Sequence, residues 1–226
     1  MDDLEKAHKI FRDEVTTAAW AFFVWKSFNN IVSSDKDLFH TINQNALSWN
    51  TLTNSLQTTF FITLGRLFDT DGDAFSVHAF LNSCKRNITQ FSHEECRKRK
   101  IKLNGGVVPD WLDDYIKNAY EAKASDFDKL KREVSEQQNI YIEVYRPIRH
   151  KVLAHKETAT IENVGELFGK TNIGQIQHFI YFLHQIENVV FDLLYNGTLN
   201  KIGDYEFRED VRAHEDVAAL LKRLKT

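Results

Sequence analysis

Glycine, proline and cysteine are all scarce in this sequence, and each scarcity removes a class of protein. Nine glycines and two prolines in 226 residues leave too few turn formers for an all-β chain. The two cysteines, Cys84 and Cys96, make no disulfide framework. With a charged M-D-D-L-E-K start and no secretory leader, the expected compartment is a reducing cytoplasm. The longest apolar run, Ala18 to Trp25, has eight residues, against ~20 for a membrane span, so no membrane partner is expected. A net charge of −3 gives no global field to attract nucleic acid, and any such surface must be a local patch. Apolar side chains are not scarce. Hydrophobic residues make up 42% of the chain, with seventeen Phe and four Trp, enough to fill one large core.

Cofactor signatures fail one by one. Cys84, His93 and Cys96 lack a fourth zinc ligand at usual spacing. The acidic string Asp69-Thr-Asp71-Gly72-Asp73 superficially matches a calcium loop, but its glycine stands fourth and Phe80 stands at the twelfth position. The better reading is an acidic turn with Asp73 near the next helix cap. Gly165, Gly169 and Gly174 follow no strand pattern, so a dinucleotide loop is not supported. A di-iron bundle needs two Glu-x-x-His motifs, and the chain offers only the reversed His184-Gln-Ile-Glu187. No metal and no cofactor are therefore expected.

Helical periodicity dominates. Residues 2–31 carry Leu4, Phe11, Val15, Ala18, Phe22 and Trp25 at three- and four-residue spacings. Around Ala18–Trp25 the helix is apolar on every side, which fits either a central helix or a second face on another subunit. Residues 46–68 form a second long helix, with Leu47, Leu52, Leu56, Phe60, Leu64 and Leu67 toward the core. Shorter helices are expected after Ser33-Ser34-Asp35, over 75–88, and from Pro109 to about Ala122. Residues 89–108 read as a solvated basic loop carrying Arg97, Lys98, Arg99 and Lys100, ended by Asn104-Gly105-Gly106. Those four cations are candidate RNA phosphate contacts.

Ser125-Asp-Phe-Asp128 is close to a capping box and opens a helix over about 126–146. Thr158 to Asn172 connects, with a short helical piece near 164–168, to a core helix over 174–196. There Ile176, Phe179, Ile180, Leu183, Ile186, Val190, Leu193 and Leu194 point inward. The fold class is all-α, a bundle of four long core helices with shorter peripheral ones. Residues 1–197 form the bundle, and 198–226 form a charged helical extension with one apolar edge.

One stretch stands out chemically: Tyr145 to Glu157, Y-R-P-I-R-H-K-V-L-A-H-K-E. Arg146, Arg149, Lys151 and Lys156 surround His150 and His155, opposed only by Glu143 and Glu157. Pro147 predicts a kink, since its ring fixes φ and it has no N–H. Arginine presents a planar fork of donors suited to phosphate oxygens, and histidine exchanges protons near neutrality. Arg149 and His155 lie six positions apart, about 120° around a helix at ~100° per residue. Two copies facing each other make a better pocket than one, and Ala154 would let a second helix approach. The blander alternative for the stretch is a basic, solvated helix start with His155 packed in an interface.

The string R-H-K-V-L-A-H-K-E resembles the abortive-infection branch of the HEPN superfamily, whose signature is an Arg, a polar residue, four more residues and a His. The resemblance implies an all-helical HEPN-like bundle that forms a homodimer and cleaves RNA without metal. Its implied catalytic residues are Arg149, His150 and His155, with Arg146, Lys151 and Lys156 holding neighbouring phosphates. A toxin or phage-defence role is implied, with a possible antitoxin or regulatory partner. Some members carry, two residues after the His, a Tyr that a partner modifies with a nucleotide. Here Glu157 stands there, and the resemblance does not extend to that variant. HEPN-like domains also include non-catalytic interaction modules, and fold alone does not choose between them.

Overall fold

A computed structural model describes residues 3–69, 75–148 and 169–225. Ten α-helices occur among them, and no strand. The four long ones are α1 (Asp3–Ser34), α3 (Ala46–Leu67), α7 (Ala124–Val144) and α9 (Ile173–Phe191). The short ones are α2 (Lys36–Asn43), α4 (Val77–Arg86), α5 (His93–Leu103), α6 (Leu112–Asn118), α8 (Arg146–Ile148) and α10 (Glu209–Lys222). No helix among the described residues is long and apolar enough to cross a membrane. The acidic string beyond Asp69 and the expected helical piece at 164–168 lie outside the described residues.

The chain divides into two compact units. The first comprises Met1–Arg12, Phe68–Asn139 and Tyr181–Glu206. Its core stacks Phe11 on Phe80 at 4.5 Å and sets Phe91 against Phe127 at 5.0 Å. Burying polar groups requires partners. The buried Gln138 amide donates to the Phe68 carbonyl at 3.0 Å, and its Oε1 meets His78 Nε2 at 3.1 Å. His8 and Glu187 are buried together, Nε2 to Oε1 3.0 Å apart. Beyond α9 the helix widens into a π-type turn over Asp192–Asn196 and stops at Gly197, whose φ is 54°. A Cβ there would sit 2.8 Å from the Ala119 Cβ, so both the left-handed backbone and the close approach require glycine.

The second unit comprises Asp13–Leu67, Ile140–Ile180 and Phe207–Thr226. Phe22 meets Phe60 edge-on at 5.4 Å, Phe60 stacks on Phe61 at 4.8 Å, and Tyr145 meets Phe179 edge-on at 5.4 Å. Ala18, Ala19, Ala21, Phe22 and Phe23 are all buried, as a helix apolar all round should be, while Trp20 is exposed. The C-terminal helix α10 buries Val217 and Leu221 against Val32, Leu38 and Ile42.

Three details depart from the sequence reading. Only the C-terminal half of α3 enters the core: Phe60, Leu64 and Leu67 are buried, but Leu47 and Leu52 are 84% and 55% exposed. Periodicity finds an apolar stripe but not how much of it the neighbours cover. Residues 93–103 are the helix α5, where a loop was expected. Ser92 caps it by accepting from the Glu95 N–H at 3.3 Å, Glu94 and Glu95 occupy the first turn, and Lys100 and Lys102 the last. That is a capping-box spacing followed by charges matched to the helix dipole. Finally, α7 opens at Ala124 rather than on Ser125. Asp126 takes the capping role, its Oδ2 accepting from the Lys123 N–H at 2.8 Å and the Tyr120 hydroxyl at 2.9 Å.

Candidate functional site

The approach to the Arg–His stretch is built by α7, α8 and the start of α9, all within the second unit for the residues concerned. Helix α7 ends at Val144, the chain turns at Tyr145, and α8 begins at Arg146. Pro147 sits in the first turn of α8, where its missing N–H costs no helical bond. Ile148 is fully buried and pins this turn, while Arg146 is half-buried.

Tyr145 is the anchor. Its ring is fully buried, stacked on Tyr141 at 6.0 Å and edge-on to Phe179. Its hydroxyl donates toward Gln175 Oε1 at 2.8 Å, with the Asn172 carbonyl at 3.1 Å, and accepts from the Asn172 N–H at 3.1 Å. Asn172 in turn caps α9, its Oδ1 accepting from the Gly174 N–H at 2.7 Å. One hydroxyl therefore joins the end of α7 to the entry of α9 and fixes both flanks of residues 149–168. Burial pushes the Tyr145 phenol above its ordinary range, against the opposing Asn172 hydrogen bond. At neutral pH it is a protonated structural donor and offers no base.

Of the sequence candidates, Arg146 falls on α8, while Arg149, His150, Lys151, His155 and Lys156 lie outside the described residues. Arg97, Lys98, Arg99 and Lys100 fall together on α5 in the first unit. Arg97 pairs with Asp113, and Lys98 with Glu94 at 2.7 Å and Glu95 at 2.8 Å. Those two carboxylates, Glu94 first, hold the Lys98 ammonium above its usual range. Arg99 donates to the Gln90 carbonyl and lies 5.9 Å from the Tyr195 ring centre. Lys100 donates to Asn196 Oδ1 at 2.9 Å and lies 5.0 Å from the Tyr115 ring centre. Among the described residues no group of three His, Cys, Asp or Glu side chains is placed to hold a metal. Burial raises the thiols of Cys84 and Cys96 above the usual range, which leaves them poor nucleophiles.

Sequence reasoning placed Tyr145 on the apolar stripe of α7 but missed its hydroxyl, because nothing in the sequence signals that Asn172 returns to it. It also missed Lys26, whose ammonium donates to Gln177 Oε1 on α9 at 2.6 Å.

This all-helical chain, with an Arg-x5-His string after a kinked long helix, matches one family model, HEPN_AbiU2, described as AbiU2, over residues 1–216. The chain belongs to the AbiU2 family of HEPN proteins. No curated protein and no solved structure matches it. Membership makes it an abortive-infection, HEPN-type protein. The described residues that flank the string in sequence are the turn between α7 and α8, the half-buried Arg146 and the Tyr145–Asn172 bridge.

Proposed function

We propose that this chain is a metal-independent endoribonuclease acting as a toxin or phage-defence effector. The observation that carries the reading is the string Arg149-His150-Lys-Val-Leu-Ala-His155 in a chain that belongs to the AbiU2 family of HEPN proteins. The anchored kink at Tyr145–Ile148 supports it, since a site flanked by packed elements holds its geometry.

In this mechanism His155 takes the proton from a ribose 2′-hydroxyl or gives one to the leaving 5′-oxygen. The 2′-oxygen attacks the adjacent phosphorus, the bond to the 5′-oxygen breaks, and the products are a 2′,3′-cyclic phosphate and a 5′-hydroxyl. Arg149 stabilises the charge that builds on the phosphorane-like transition state. His150 orients Arg149 or the phosphate, and Arg146, Lys151 and Lys156 hold neighbouring phosphates. Six positions set Arg149 and His155 about 120° apart on an ideal helix, a spacing that favours a composite site shared by two subunits, so the working unit of this reading is a homodimer. A partner protein would restrain it.

The test is incubation of purified protein with total RNA in EDTA, beside His155→Ala. Cleavage by wild type with 2′,3′-cyclic ends, lost in the variant, is expected. Equal RNA profiles from wild type and from both His155→Ala and Arg149→Ala would replace this reading with that of a non-catalytic HEPN interaction module.

A further inference from the structure

Helix α6 presents an unusual face. Trp111, Asp114, Tyr115 and Asn118 are spaced i, i+3, i+4 and i+7, one side of a helix. Together with Asn196–Thr198 they line an open hollow of about 490 Å³. Leu112 beside them is fully buried and anchors the helix, yet Trp111 is 52% exposed. Its ring meets Tyr115 edge-on at 5.5 Å.

The hollow is held stiffly. The Tyr115 hydroxyl donates to the Asn196 carbonyl at 2.8 Å, fixing its ring. Asn196 is held by Lys100 and by Asp192, to which its Nδ2 donates at 2.7 Å. Gly197 abuts Ala119 at the base. Two carboxylates stand near the rim with different fates. Asp113 is taken by Arg97, whereas no described cation pairs with Asp114, which is exposed.

A flat indole face beside a carboxylate sets the chemistry of a ligand. The indole ring offers a stacking surface to a planar aromatic. A carboxylate only accepts hydrogen bonds, so the stacked molecule must present donors, ideally two side by side. Among the four RNA bases only guanine does so, through N1–H and its exocyclic amine. Lys100, Lys102 and Lys117, on the two helices beside the hollow, offset the carboxylates of Asp110, Asp113 and Asp114, so the surface around the hollow carries both signs of charge.

We propose that this hollow binds an unpaired guanine base of single-stranded RNA, stacked on Trp111 with its Watson–Crick edge on Asp114. The site deepens the ribonuclease reading and rests on it for the choice of RNA over a free nucleotide. It makes substrate choice depend on residues that do not belong to the Arg–His stretch of the sequence.

The test uses the full chain carrying His155→Ala, so that RNA survives, and labelled single-stranded uridine RNAs with or without one internal guanine, read by fluorescence anisotropy. The guanine RNA is expected to bind more tightly. Trp111→Ala should weaken it by about tenfold to a hundredfold, the effect of one lost stacking partner. Asp114→Asn, which keeps the shape, should bring the guanine RNA down to the guanine-free one. GMP should compete only weakly. Equal binding of the two RNAs, or preference that survives both substitutions, would overturn the site, as would GMP binding more tightly than the guanine RNA. Cleavage by the chain with His155 intact is scored separately. Cutting without a Trp111-dependent guanine preference overturns this site and leaves the ribonuclease reading standing. A Trp111-dependent preference without cutting supports the site and removes the ribonuclease reading.

Discussion

Two segments of this protein are rich in Arg and Lys, and they differ in how many acids the sequence sets beside them. On α5, Arg97 and Lys98 pair with Asp113, Glu94 and Glu95, and Lys100 is tied to Asn196. Around Arg146–Lys156 the neighbouring sequence offers only Glu143 and Glu157. The first set of charges stabilises a capped helix end, where Lys100 and Lys102 complement the dipole. The second set follows the turn at Tyr145, and in the sequence only Glu143 and Glu157 stand close to it. If the second segment binds phosphate as proposed, the supply of local acids is a better guide to such binding than the density of basic residues. A cation already satisfied by a carboxylate must give up that partner before it gains from a phosphate.

The largest effect should come from breaking the second segment at its chemistry. If His155 moves the proton, His155→Ala should lower the RNA-cleavage rate by ~10²–10⁴-fold. If Arg149 stabilises the transition state, Arg149→Ala should lower it by ~10²–10³-fold. Single-turnover cleavage of a defined RNA measures both, and circular dichroism checks that each variant stays helical. Arg97→Ala under the same assay should remain within a few-fold of wild type. A loss at Arg97 matching that at Arg149 would erase the contrast between the two segments.

The next effect tests the frame. Tyr145→Phe removes the hydroxyl that bridges Asn172 and Gln175 and leaves their polar groups short of a partner. A cost of ~1–3 kcal/mol is expected, and for a chain of this size each kcal/mol moves Tm by about 2–4 °C. Cleavage should fall with it, because both flanks of the Arg–His stretch lose their bridge. The pH dependence has a definite sign. Burial raises the folded Tyr145 pKa above the ~10 of a free phenol. The folded state thus binds the extra proton, and its contribution is complete below about pH 10 and is lost as pH rises through the folded value. Part of the wild-type decline in stability under alkali should disappear in Tyr145→Phe. Tyr205, also raised by burial and by Asp192, keeps its own share.

Much of this architecture is legible in the residues. The four long helices follow from three- and four-residue apolar spacing, and all eight inward positions expected between Ile176 and Leu194 are buried. Pro147 marked the kink between α7 and α8. What was hidden depends on partners distant in sequence. Leu47 and Leu52 carry the same periodic signal as Phe60 and Leu64, yet only the latter are covered. The Tyr145–Asn172 bridge spans 27 positions with no local signature. The α5 helix was a different kind of miss, since Ser92-His-Glu-Glu95 is an S-x-x-E signal that the following charge run obscured. The Arg149–His155 motif was legible only as a string, and its geometry lies outside the described residues.

Smaller effects sharpen the first segment. Ser92→Ala should destabilise the protein by ~1 kcal/mol, the usual cost of a lost N-cap, visible as a small fall in Tm and in the helical signal of α5. The smallest effect is expected at Lys98. Its ammonium is exposed and lies between the exposed Glu94 and the partly buried Glu95, and pairs made by an exposed ammonium contribute little to stability because water and salt screen them. Lys98→Ala should therefore leave Tm unchanged. Its effect on RNA binding should also be slight and confined to low salt. Removing one full phosphate contact to a single strand lowers the slope of log K against log salt by ~0.7. Lys151→Ala and Lys156→Ala are each expected to show about that change, and Lys98→Ala clearly less, since Glu94 and Glu95 compete for the same ammonium. Binding isotherms for a short RNA across a salt series measure all three slopes. Equal slope changes at Lys98 and Lys156 would mean that local acids do not withhold a lysine from phosphate, and the distinction between the two basic segments would fall.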